Sequence, residues 1–224
     1  MANKRILAVL SALLIAGVTS SGAHAQVRNE VYGSVGTDGV GLGYGYGISQ
    51  HFGTRVEVSG FSYSHGFSAG DMHYDANLRL IHGSLLGDYF PAPSFFPIRL
   101  TVGVLVGADQ LSGNATGSQG TYTFNGVTVP TQGESVHASL KFPAVRPYVG
   151  IGFGHNPNAK EGLSMAFDAG VAIGKPSVTF DVPQNIASAA GAQNVAAEEQ
   201  NLRSKASKFP VYPIVKVSLT YRFF

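Results

Sequence analysis

Residues 39–49 read GVGLGYGYGIS, with glycine at every second position and Val, Leu or Tyr at most positions between. Successive side chains of a strand point to opposite faces, so this stretch makes a ribbon with one bare face and one apolar face. The same alternation of apolar with small or polar residues recurs in segments of about ten residues. Eight can be marked: 31–37, 40–48, 54–64, 74–90, 98–111, 148–153, 163–173 and 214–223.

Two of them show what the faces are for. In the fifth, Leu100, Val102, Val104, Val106 and Ala108 share a face opposite Arg99, Thr101, Gly103, Gly107 and Asp109, with Leu105 among the latter. In the seventh, Leu163, Met165, Phe167, Ala169, Val171 and Ile173 oppose Ser164, Ala166, Asp168, Gly170 and Ala172. A soluble sandwich would bury the apolar row and offer Lys, Glu, Thr and Gln to water on the other. Here the second row is small and sparsely charged, which suits the crowded interior of a narrow barrel whose exterior meets hydrocarbon. Gly41, Gly43, Gly45 and Gly47 then face inward, while Val40, Leu42, Tyr44, Tyr46 and Ile48 face lipid, the tyrosines near an interface. A sheet in lipid must close, because open edges leave unpaired backbone groups, and eight strands satisfy the even number usual in bacterial barrels.

The connections alternate in length. Residues 49–53, 91–97 and 155–162 are short, whereas 112–142 and 174–213 are long, the asymmetry of periplasmic turns and external loops. Within the first long loop TYTFNGVTV carries an Asn125-Gly126 turn and predicts an extra hairpin outside the membrane. Residues 185–208 are rich in Ala, Glu, Gln, Lys and Arg and predict a helix over part of their length. The sidedness of that helix depends on whether 31–48 is two strands or one bent strand.

The first 25 residues are a different kind of segment. Lys4 and Arg5 precede an apolar run, and AHA at 23–25 is a small-x-small cleavage pattern, so 1–25 reads as a secretory signal peptide. The expected fold class is therefore all-β: a closed antiparallel eight-stranded transmembrane β-barrel over 26–224, with an extra external hairpin and one short helix in a long loop. Beyond the leader the chain carries 13 basic and 13 acidic residues, which gives no reason to expect nucleic acid as a partner. It has no cysteine, so disulfides, thiolate metal sites and a cysteine nucleophile are excluded.

The C-terminal VSLTYRFF places Tyr221 two residues before Phe223, and this alternating strand resembles the last strand of Gram-negative outer-membrane barrels. With GVGLGYGYG, SQHFGTRVEVSGFSYS and RPYVGIGFG, the chain is similar to the small eight-stranded barrels of the OmpA-like and opacity-protein superfamily. The resemblance implies outer-membrane localisation and recognition by the barrel assembly machinery through Tyr221 and Phe223, with Phe224 one residue beyond the usual terminal Phe. It does not select a function, since that superfamily includes adhesins, anchors, narrow channels and a few lipid-modifying enzymes.

Charges on interior faces are the most informative candidate site. Arg55, Glu57, Asp75, Arg79, Arg99, Asp168 and Lys216 are expected to point inward, where unpaired charge is costly, as a salt-bridged plug or else as the lining of an ion path. Other constellations are weaker. GFSAG at 66–70 matches a nucleophile-elbow pattern with Ser68, but between two strands rather than a strand and a helix. His65, Asp71 and His73 cluster without the ligand spacing of a known metal site. His82 and His155 lie near strands, as a lipid-modifying barrel would require, without a recognisable motif. GVGLGYGYG does not satisfy G-x-G-x-x-G in any register.

The expected role is a membrane-bracing barrel with a largely filled lumen that presents 112–142 and 174–213 to a surface ligand. The alternatives are a narrow passive channel and, more remotely, a lipid-modifying enzyme. Outer-membrane lipid and the assembly machinery are the expected partners of a monomeric, cofactor-free, non-enzymatic chain.

Overall fold

The computed structural model describes residues 28–223 apart from Gly70, Asp71, Ser118 and Phe209, so the leader and Phe224 lie outside the described residues. The strands are β1 (Arg28–Gly36), β2 (Gly39–Gly47), β3 (Phe52–Ala69), β4 (Met72–Tyr89), β5 (Ile98–Gly107), β6 (Gln110–Gly117), β7 (Thr121–Phe124), β8 (Val127–Pro130), β9 (Ser135–Lys141), β10 (Val145–Phe153), β11 (Gly162–Ile173), β12 (Ser177–Asp181) and β13 (Val211–Phe223). Two helices, α1 (Gln184–Ala190) and α2 (Ala192–Ser207), precede the last strand.

Eight strands pair antiparallel in a ring: β1, β2, β3, β4, β5, β10, β11, β13 and back to β1. They correspond one for one to the eight segments read from the alternation. Residues 31–48 form two strands, because Gly39 at φ 108° turns the chain after Asp38. The start of β1, the end of β13 and the connections 48–51, 90–97 and 154–161 therefore share one end of the barrel, and the long segments share the other.

The outward row is apolar from end to end. Its last members toward the long-loop end are Val35, Val40, Val58, Ile81, Val106, Val145, Ile173 and Val211, all exposed. Six alternate outward positions of β11, Leu163 to Ile173, rise about 25 Å along the barrel axis for strands tilted near 40°. At the short-turn end Tyr44, Phe52, Tyr89, Phe153, Tyr221 and Phe223 are exposed and form the aromatic girdle of a membrane interface.

The wall is taller on one side. Above the apolar belt β3 and β4 continue as a hairpin, β5 runs on into β6, β9 leads down into β10, and β11 leads up toward β12. These upper segments pair in the order β3, β4, β6, β9, β12. The expected fifth strand, 98–111, takes in only the first two residues of β6; the rest of β6, with β9 and β12, falls in segments expected to be long loops. β6 is rich in Ser, Asn and Gly, and β9 and β12 alternate over only two or three apolar positions, so none carries the long apolar row of a lipid-facing strand. The hairpin foreseen at Asn125-Gly126 is β7–β8, with both turn residues at positive φ, 47° and 84°. The helical segment is two helices rather than one, broken at Gly191 with φ 81°.

The hairpin and helices lie on the axis-facing side of this upper sheet. Tyr122, Phe124 and Val129 pack with Met72, Val136, Ile186 and Ala190 in a small core outside the membrane. Polarity has thus reversed at the rim. Below it the outward face is apolar; above it the outward face carries Ser64, Asn77, Ser112, Asn114 and Thr116, and the axial face is apolar.

Candidate functional site

The barrel interior holds five cations, Arg55, Arg99, Arg146, Lys216 and Arg222, and six carboxylates, Glu30, Asp38, Glu57, Asp88, Asp109 and Asp168, each less than a tenth exposed. Burial of that many charges is tolerable only if each is paired. They are paired in two groups.

Toward the short-turn end, Arg55 donates to both oxygens of Asp88, at 2.5 and 3.0 Å, and to Asp168 at 3.2 Å. Arg99 donates to Asp168 at 2.5 Å and to the Gly154 carbonyl at 2.8 Å, and lies 3.3 Å from Asp88. Two guanidinium groups and two carboxylates thus make a compact square, with Thr101 donating to Asp88. Beside it Arg222 donates to Glu30 at 2.5 Å, and Glu30 also meets His155.

Toward the long-loop end, Lys216 bridges Glu57 at 2.9 Å and Asp38 at 2.7 Å. His82 sits between Asp38 and Asp109, at 3.2 and 3.1 Å, and Arg146 donates to Asp109 at 2.5 Å. Glu57 accepts further bonds from Ser34, Ser59 and Tyr32. The third side of the interior is apolar, formed by Leu86, Leu105, Tyr148, Ala172 and Ile214. Two voids bordered by these groups have volumes of about 10 and 20 Å³, room for about one water each.

Glycine makes this density possible. A Cβ on Gly43 would lie 2.2 Å from the Tyr32 ring, and one on Gly170 would lie 2.4 Å from the Tyr148 hydroxyl. The bare face of 39–47 is therefore filled by side chains arriving from neighbouring strands.

Of the seven charges expected inside, the structure places Arg55, Glu57, Arg99, Asp168 and Lys216 in this network. Asp75 and Arg79 are elsewhere. Both lie on the outward face of β4 above the apolar belt and are exposed. The inward row of β4 is Leu80, His82, Ser84, Leu86 and Asp88, so the odd-numbered residues point out; the charge alone misled, since a strand leaving the membrane reverses its polarity. The remaining network members, Glu30, Asp38, His82, Asp88, Asp109, Arg146, His155 and Arg222, were not assigned to the lumen charge cluster. For Asp109, Arg146 and Arg222 the period-2 signal is present, because each shares a face with residues expected inward, whereas Asp88 lies on the face of β4 opposite Asp75 and Arg79.

The other constellations separate. His65 stacks between Tyr63 and Phe67, while His73 lies on the opposite face, so the two do not converge, and Asp71 lies outside the described residues. Ser68 lies 3.0 Å from His73 Nδ1, and His73 Nε2 lies 3.3 Å from Asp75. That order of contacts matches a nucleophile, base and orienting acid, but His73 and Asp75 are more than half exposed on an open sheet face and neither interior void touches them. His82 and His155 belong to the interior network. Tyr221 and Phe223 stack on one another on the outward face of β13.

The upper half of β3 has two further properties. Phe61, Tyr63, His65 and Phe67 form a continuous row of near-parallel rings, with successive centroids 6.4, 6.1 and 6.3 Å apart, and Tyr74 extends it at 5.1 Å. The row is exposed, because the β7–β8 hairpin and helices cover the sheet farther along. In addition, β2 pairs with β3 only as far as Gly60, so 61–69 has strand partners on the β4 side alone among the described residues.

No family model matches the chain, and no curated protein matches it in sequence. Among solved structures, Acinetobacter baumannii CarO is similar over 87% of this chain and 97% of its own, at 14% identity and a TM-score of 0.56. CarO2 of the same organism is similar over 88% of this chain and 100% of its own, at 15% identity and a TM-score of 0.58. At such identity the likeness concerns the fold, which is that of outer-membrane β-barrels.

Proposed function

We propose that this chain is a monomeric, sealed barrel of a Gram-negative outer membrane whose work is done above the membrane, by surface contact through the tall side of its wall. The observation that carries the reading is the contrast between the two halves of β3. Its lower half carries Arg55 and Glu57, locked into a packed ion-pair network beside two voids that each hold about one water. Its upper half offers a row of exposed rings and an unpaired edge.

That edge is unusual in composition. Residues 61–69 read FSYSHGFSA, without Lys, Arg, Asp, Glu or Pro, the residues that normally guard a free strand from pairing with another chain. An extended polypeptide segment can add to such an edge through main-chain hydrogen bonds, with its alternate side chains against the rings. The reading assigns the chain no catalytic step.

The test has two arms on refolded protein whose gel mobility shifts on boiling. In a planar bilayer the sealed barrel is expected to stay silent; discrete conductance steps that change with Arg99→Gln would establish the channel alternative instead. Cells displaying the protein are expected to lose surface adherence on Tyr63→Lys with Phe67→Lys, since each puts a charge into the ring row. Unchanged adherence would remove the upper half of β3 from the reading.

A further inference from the structure

Directly above the apolar belt, the first outward row of the tall wall runs Ser62, Arg79, Gln110, Lys141 and Ser177, each the cross-strand neighbour of the next. Arg79 stands two residues beyond Ile81, the last outward apolar residue of β4. Lys175 likewise stands two residues beyond Ile173, the last of β11, and two before Ser177. Arg79, Lys141 and Lys175 are all exposed, and the charged group of none makes an ion pair or hydrogen bond among the described residues.

The contrast with the interior is informative. Inside, every buried cation lies within ion-pair distance of a carboxylate. At this rim three cations stand together, and the outward-facing carboxylates on the same strands, Asp75 and Asp181, lie four residues farther from the membrane than Arg79 and Ser177. A face that only needed solubility would intersperse both signs. Here one sign occupies the level at which lipid headgroups meet the barrel.

We infer that Arg79, Lys141 and Lys175 bind the phosphate groups of a phosphorylated glycolipid in the outer leaflet, whose acyl chains lie on Ile81, Val106, Val145 and Ile173 just below. The inference rests on the outer-membrane reading above. Two features select a lipid over a soluble anion: the cations continue a surface that is already lipid-facing, and one amphiphile can satisfy both the apolar belt and the charged row. Cations at a membrane surface are drawn to anionic headgroups, and guanidinium and ammonium groups make charge-assisted bonds to phosphate oxygens.

The test uses refolded, heat-shifting protein in neutral detergent, with diphosphorylated lipid A and the same lipid after phosphatase treatment as probes, and native mass spectrometry to count bound lipid. Preference for the diphosphorylated form is expected, and it should fall as salt rises. Each of Arg79→Gln, Lys141→Gln and Lys175→Gln should weaken binding about fivefold and the triple variant about a hundredfold, from roughly one headgroup interaction lost per charge. Lys205→Gln on α2, away from the row, should bind like the parent. Equal binding of the two lipid forms by the parent protein overturns the inference even if the triple variant fails to fold, and so does a folded triple variant that binds as the parent does. A parent chain that neither shows the mobility shift nor floats with lipid vesicles overturns the outer-membrane reading, and this one with it.

Discussion

Replacing Asp168 by Asn tests whether the interior is a dry, paired plug. The substitution keeps the shape of the side chain and removes only its charge. Asp168 is 3% exposed and accepts from Arg99 at 2.5 Å and from Arg55 at 3.2 Å. Without it, two buried guanidinium groups share Asp88 as their one close carboxylate. Removing one partner of a buried ion pair generally costs about 3–5 kcal/mol, and Asp88 still meets both arginines, so we expect about 3 kcal/mol. The assay is urea unfolding of the protein in lipid vesicles, followed by far-ultraviolet circular dichroism and by the gel mobility shift. The double variant Asp168→Asn with Arg99→Met should recover at least half of the loss, because one cation leaves with the anion. A cost below about 1 kcal/mol, the range of solvated ion pairs, would refute the reasoning. It would mean that water screens these charges, and a hydrated lumen would revive the channel alternative.

Three other outcomes follow from particular residues. Gly43→Ala puts a Cβ against the Tyr32 ring and should cost about 1–3 kcal/mol, read as an earlier thermal loss of the folded gel band, with part recovered when Tyr32 is also changed to Ala. Val149→Arg, at mid-height of the lipid-facing row, should cost about 2–4 kcal/mol, whereas Thr116→Arg, on the outward face above the belt, should cost almost nothing; similar costs would disprove the polarity reversal at the rim. Deleting 120–130 should leave the heat-shifted barrel intact while exposing Ile186 and Ala190, so protease cleavage within 184–207 should accelerate, and an unchanged cleavage rate would show that the helices do not depend on the hairpin.

The interior site was partly legible. Arg55, Glu57, Arg99, Asp168 and Lys216 could be assigned inward because each alternates with apolar neighbours inside a well-patterned strand. Asp75 and Arg79 could not, since period 2 tells which residues share a face but not at what height a strand leaves the membrane. Partners were beyond reach for a related reason. The bond from Arg55 to Asp168 joins residues 113 positions apart, and which heights meet across the lumen depends on the stagger of the whole ring. The upper sheet was missed because β6, β9 and β12 lie in water on one face and under a small cap on the other, so they need no uniformly apolar row.

What the amino-acid order determined by itself is the set of eight staves, their two faces, the glycine-lined interior and the distribution of short and long connections. All of these follow from local alternation and from turn residues, which act within a few positions along the chain. Tertiary structure alone decided the tall side of the wall, the pairing of each buried charge, the free edge of β3 and the cationic row at the rim. Each of those depends on how far one strand is shifted against the next, and that shift is set by closing the ring, a constraint that no single segment carries.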